Sequence, residues 1–126
     1  MFIRIFVFIT HSEISKILKD ISKIIDCEIL EGDYLEKLGY SISIEKNDDF
    51  NLKKAGSFPD GFLFFPYSIE MEIDDSEDLN QTIINTNLIL ENLWNNGSSA
   101  VTACDFEDKL IENGGYKSKK IPWPKV

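Results

Sequence analysis

Most of the residues in this chain that could do chemistry are carboxylates, and the densest of them form two knots. Asp74-Asp75-Ser76-Glu77-Asp78 is dense in oxygen ligands. It lacks the alternating ligand positions, central glycine and closing glutamate of an EF-hand loop, so no dedicated calcium site is expected. Asp105-Phe106-Glu107-Asp108 reads equally as a helix start, where acids complement the dipole. His11 is the only histidine, and its place beside Thr10 and Ser12 suggests a helix-capping turn rather than a general base. Cys104 precedes Asp105, but no second histidine is present to activate it, and Val101 and Ala103 mark its surroundings as apolar. No serine stands in a GxSxG elbow, and neither a P-loop nor a GxGxxG run occurs. The expectation is a protein without catalytic residues, metal or cofactor, whose carboxylates act by binding.

The elements that must hold those carboxylates can be read from periodicity. Phe2 to Ile9 is β-branched and aromatic throughout, as in a strand buried on both faces. Thr10 and Glu13 have capping-box spacing, and Ile14, Ile17, Leu18, Ile21, Ile24 and Ile25 then form the apolar stripe of a helix. Residues 27–31 suit a short strand closed by Gly32-Asp33, and residues 33–38 are ambiguous, with one helical turn as the expectation. Tyr40, Ile42 and Ile44 alternate with Ser41, Ser43 and Glu45 in a half-exposed strand. Asn47 to Pro59 reads as a long loop, and Gly61 to Phe65 as a dense apolar strand stopped at Pro66.

Ile69, Met71 and Ile73 alternate with Glu70, Glu72 and Asp74, so every outward side chain of that strand is a carboxylate. A helix follows to about Asn95, with Ser76 as the expected N-cap and Asn96-Gly97 as the stop. Its inward face is expected to hold Leu79, Ile83, Thr86, Leu90, Leu93 and Trp94. Ile84 and Leu88 fall on the opposite side, where the chain after Asp105 is expected to cover them. Residues 99–104 read as a small-residue strand and 105–111 as a short helix. The last segment, with Tyr116 and Trp123, reads as an extended tail lying on the body. The whole is expected to be one α+β domain. It would be a two-layer sandwich, a mainly antiparallel sheet with two long helices on one face, ferredoxin-like with extra strands. Its other face would present Ser41, Ser43, Glu45, Glu70, Glu72 and Asp74.

Length and charge bound the partners. At 126 residues the chain can bury a core without staples. Its net charge of -9 argues against a nucleic-acid or anionic-membrane partner and for a basic one, which an acidic field attracts. The charge is uneven: residues 1–112 carry -13, and residues 113–126 carry four lysines and no acid. Cys27 and Cys104 are too few for a disulfide framework and read as buried free thiols of a reducing compartment. The apolar opening is too short for a membrane span and lacks the features of a signal peptide, so a cytoplasmic protein is expected.

FPYSIEMEID (Phe65 to Asp74), LENLW (Leu90 to Trp94), AVTACDFEDKL (Ala100 to Leu110), GGYK (Gly114 to Lys117) and IPWP (Ile121 to Pro124) together resemble a family. They are similar to small bacterial immunity proteins encoded beside polymorphic or contact-dependent growth-inhibition toxins, over about residues 60–126. The resemblance implies a cytoplasmic, non-enzymatic protein that neutralises one cognate toxin domain, commonly a nuclease with a basic cleft. The residues expected to meet that cleft are Glu70, Glu72, Asp74, Asp75, Asp105, Glu107 and Asp108, with Asp48 and Asp49 of the long loop behind them. The competing reading is a ferredoxin-like regulatory or assembly module that forms a homodimer. Monomer and homodimer both remain open at this level.

Overall fold

The computed structural model describes residues 1–32 and 34–125. Asp33, expected in the turn after the second strand, lies outside the described residues. Six strands form one sheet: β1 (Phe2–Phe8), β2 (Glu28–Leu30), β3 (Tyr34–Lys37), β4 (Tyr40–Lys46), β5 (Tyr67–Ile73) and β6 (Ser99–Ala103). Their order is β2-β3-β4-β5-β1-β6, and every neighbouring pair is antiparallel. Helix α1 (Ile14–Ile25) follows β1, and helix α3 (Leu79–Asn95) joins β5 to β6, the two neighbours of β1.

The fold class is α+β in two layers. Ile14, Ile17, Leu18, Ile21 and Ile25 of α1, with Ile89, Leu90 and Leu93 of α3, share one buried cluster with the inward side chains of the sheet. The start of α1 is fixed locally: the Thr10 N–H donates to the Glu13 carboxylate at 2.6 Å. Asp26 ends it in the left-handed conformation, φ 52°.

Helix α3 keeps most of the expected face: Thr86, Leu90 and Leu93 are buried, and Ile83 and Trp94 pack partly buried against the core. Thr82, Asn85 and Thr86 are buried together with Ile89, Leu90 and Leu93, whereas Leu79 is exposed. Apolar periodicity misses Thr82 because the first turns bury hydroxyls that bond one turn back. Thr82 Oγ1 donates to the Asp78 carbonyl at 3.0 Å and Thr86 Oγ1 to the Thr82 carbonyl at 2.8 Å. The N-cap is Asp78, not Ser76; its carboxylate accepts from Asn80 N–H at 2.9 Å.

Residues 61–65 are not a strand. Residues 61–64 belong to a 3₁₀ helix, Asp60–Phe64, with Phe65 extended after it, and the stretch expected to form one helical turn supplies strand β3 instead. The backbone bonds of this run go to the preceding segment instead of to a ladder: Gly61 N–H to Ser57 O at 2.6 Å, and Asn51 N–H to Phe64 O at 3.1 Å. Asn47 Nδ2 adds bonds to Leu63 O and Phe65 O at 2.9 and 2.7 Å. The supposed loop also contains a helical turn, α2 (Leu52–Ala55), whose N-cap Asn51 accepts from Lys54 N–H at 3.1 Å. Thus the apolarity of 61–65 serves a second core: Phe62 packs edge-on against Phe6, and Phe65 against Phe8, at 5.3 and 5.6 Å between ring centres.

The chain after β6 also goes elsewhere than expected. It forms two 3₁₀ turns, Glu107–Lys109 and Ile111–Gly115, separated by extended Leu110. Glu112, Asn113 and Gly114 all have positive φ, and this left-handed turn redirects the tail. Tyr116 reaches Phe62 at 5.8 Å, and Trp123 packs on Phe58 and Phe65 at 5.3 and 5.5 Å. Trp123 Nε1 donates to Gly56 O at 2.9 Å. Ile84 and Leu88 are left 50% and 44% exposed. The face opposite the helices is therefore divided: aromatic and covered over β1, polar over β5 to β2.

Candidate functional site

The polar half of that face is built by strict alternation. Ile69, Met71 and Ile73 point into the core, so Glu70 and Glu72 point away from it. Register then sets their neighbours. Glu72 stands between Phe2 and Ser41, Ser41 pairs next with Glu36, and Glu36 with Glu28. One row across the sheet thus reads Phe2-Glu72-Ser41-Glu36-Glu28. With strands about 4.8 Å apart, Glu72 and Glu36 flank the small Ser41 at roughly 10 Å. Among the described residues none of these glutamates joins an ion pair. A groove of about 350 Å³ opens here, with Phe2, Glu36, Ser41, Glu72 and Asp74 in its lining.

Glu70 lies one row away, between Arg4 and Ser43. Arg4 is close in register yet forms no ion pair with it; the guanidinium instead lies 4.6 Å over the Phe6 ring, with Nε buried and unpartnered. Glu28 and Glu36 sit opposite each other across β2 and β3, where like charges weaken a sheet by about 0.2–1 kcal/mol.

The other expected contact residues fall in different places. Asp74 is exposed at the end of β5, continuous with Glu72. Asp75 accepts from the Met1 ammonium at 2.8 Å, a bond and a charge that hold its carboxyl below the usual range. Glu107 is engaged locally, accepting from Cys104 N–H at 3.0 Å, while Asp105 and Asp108 are exposed. The Arg4↔Ala103 register puts this second knot at the same end of the sheet as Glu72, beyond β1. Asp48 and Asp49 lie past Lys46, at the opposite end. The structure therefore joins Glu70, Glu72 and Asp74, sets Asp105, Glu107 and Asp108 to one side and separates Asp48 and Asp49.

Sequence reading missed Glu28 and Glu36, which complete the row. The available signal was the two-residue Leu38-Gly39 link between Tyr34–Lys37 and Tyr40–Lys46, a hairpin spacing. Among the groups weighed for chemistry, His11 is exposed with Nδ1 3.4 Å from the Tyr67 hydroxyl. Cys27 and Cys104 are free and half-buried, and burial is the main cause that pushes both thiols up. Among the described residues no group of three or more histidine, cysteine or acidic side chains is arranged to hold a metal, and no helix is long and apolar enough to cross a membrane. Comparison of the chain with protein-family models, with curated proteins and with solved structures finds no match.

Proposed function

We propose that this protein is a cytoplasmic, non-catalytic immunity protein that binds and neutralises a cognate toxin domain of the nuclease type. The observation that carries the reading is the row Glu72-Ser41-Glu36-Glu28, with Glu70 and Asp74 beside it: carboxylates repeated across one face of the sheet, without ion-pair partners among the described residues. A nuclease recognises a line of phosphates with a basic cleft. A line of fixed carboxylates presents the same sign of charge at comparable intervals, and so occupies the cleft without being a substrate. Charge complementarity of this kind acts mainly on encounter, with rates up to about 10⁸–10⁹ M⁻¹s⁻¹ at low salt. The scaffold reading is ferredoxin-like, with β6-β1-β5-β4, α1 and α3 as the repeated unit and the β2–β3 hairpin added at the β4 edge. The test is co-expression with the toxic domain encoded in the adjacent reading frame. Protection of growth by the wild type, lost in Glu36→Lys/Glu72→Lys, supports the reading; protection by neither removes it.

One observation favours the homodimer. β2 is an edge strand, and Ile29 and Leu30 on it are exposed large apolar residues. Light scattering on a size-exclusion column separates the readings, since a stable dimer through this edge favours an assembly module.

A further inference from the structure

A second cavity, of about 300 Å³, opens on the helix side of the sheet, where the end of α1, the first turns of α3 and the β3–β4 turn meet. That volume is at the lower end for small-molecule sites, which run from roughly 300 to 1,000 Å³. Its inner wall is polar where the fold would accept apolar residues. Asn85 is 8% exposed and Tyr40 6%. Gln81 Nε2 donates to Asn85 Oδ1 at 3.0 Å, and Asn85 Nδ2 donates to the Tyr40 hydroxyl at 3.4 Å. The chain of bonds stops there: among the described residues nothing accepts the Tyr40 proton. The hydroxyl proton is therefore available to a ligand or water.

Charges of both signs line the same cavity and do not neutralise each other. Lys37 Nζ donates to Ile25 O at 2.7 Å and lies 4.9 Å over the Tyr40 ring, which leaves two of its three N–H groups free. Glu77 rests against Gly39, whose φ of +85° and missing Cβ make room for the carboxylate. Lys37 and Glu77 form no ion pair with one another. On the rim stands Leu38, 95% exposed, a large apolar side chain with no folding role.

We propose that this cavity binds a free aliphatic α-amino acid as its zwitterion. The ligand carboxylate meets the Lys37 ammonium and the Tyr40 hydroxyl, its ammonium meets Glu77, and its side chain lies against Leu38 and Ile24. Lys37 offers its two remaining N–H groups to an anionic group, and Glu77, with Asp26 also in the lining, offers acceptors to a cationic one; a small zwitterion answers to both. The site does not use the acidic row, so it stands or falls apart from toxin binding.

The experiment is an amide NMR titration of the wild-type protein with each standard amino acid, then with leucinamide, which lacks the carboxylate, and N-acetyl-leucine, which lacks the ammonium. Saturable shifts at Leu38, Gly39 and Asn85 are expected from leucine-like amino acids at or below about 10 mM. Both derivatives should bind about tenfold or more weakly. Lys37→Met should lower leucine affinity by a similar factor and leave leucinamide binding unchanged. No shift at these residues with any amino acid at that concentration overturns the proposal. So does equal binding of leucine and its two derivatives, a result that needs no variant to fold.

Discussion

Gly61 has no side chain because the backbone of α2 fills the place. A Cβ there would lie 2.5 Å from the Ala55 carbonyl oxygen and 2.7 Å from that of Lys54. These are main-chain atoms that cannot rotate away, so Gly61→Ala is expected to cost about 1–3 kcal/mol by urea unfolding. The thiols make a different prediction at the same scale. Burial raises both above their ordinary value, and Glu107, Asp105 and Asp108 push Cys104 further in that direction. Because the folded pKa lies above the unfolded one, folding favours the neutral thiol. That contribution is complete below the unfolded thiol pKa of about 8.5 and is lost as pH rises through the higher folded value. Alkylation by iodoacetamide at neutral pH should therefore run slower than for free cysteine and rise steeply only on the alkaline side, which mass spectrometry of each cysteine can follow.

At the scale of elements, the tail covers the aromatic half of the sheet rather than Ile84 and Leu88 of α3. Trp123 is a packing residue: it touches Phe58 and Phe65 and donates to Gly56 O. Trp123→Ala should cost about 2–3 kcal/mol, somewhat under the ~3–5 kcal/mol of a fully buried aromatic. Ile84→Gln and Leu88→Gln, on the uncovered side of α3, should each change stability by no more than about 0.5 kcal/mol. Thermal or urea unfolding of the three variants checks the contrast. Where one physical preference dominates, sequence was enough: the α1 stripe, the alternation in β4 and β5, and hence the outward carboxylates Glu70 and Glu72. It was insufficient where tertiary structure decides. Phe62, Phe64 and Phe65 have strand-like chemistry, yet their backbone bonds are taken by 47–57. The direction of the tail depends on three left-handed residues, Glu112 to Gly114, that only one glycine announces. Glu28 and Glu36 were hidden because β2 and β3 are too short for a period to show. The row they complete became visible only through register.

Over the whole molecule, charge and packing are segregated. The tail lysines travel with the segment that covers the aromatic half of the sheet, while Glu28, Glu36, Glu70 and Glu72 stand on the uncovered half. On the proposed reading, the net charge of -9 would attract a cationic partner and the acidic row would orient it. An isolated sheet gains nothing from Glu28 opposite Glu36. On the proposed reading, a partner bearing arginine and lysine in a cleft would supply the missing counter-charges, and its affinity should fall as salt screens them. The direct measurement of the proposed function is the association rate with a candidate nuclease-type toxin domain, by stopped flow across a salt series, for the wild type and for Glu36→Lys/Glu72→Lys. The account predicts a fast, steeply salt-dependent rate for the wild type. The variant should be slower by about tenfold or more at low salt, with a flattened salt dependence. An unchanged rate and salt slope in a variant that folds normally would contradict it.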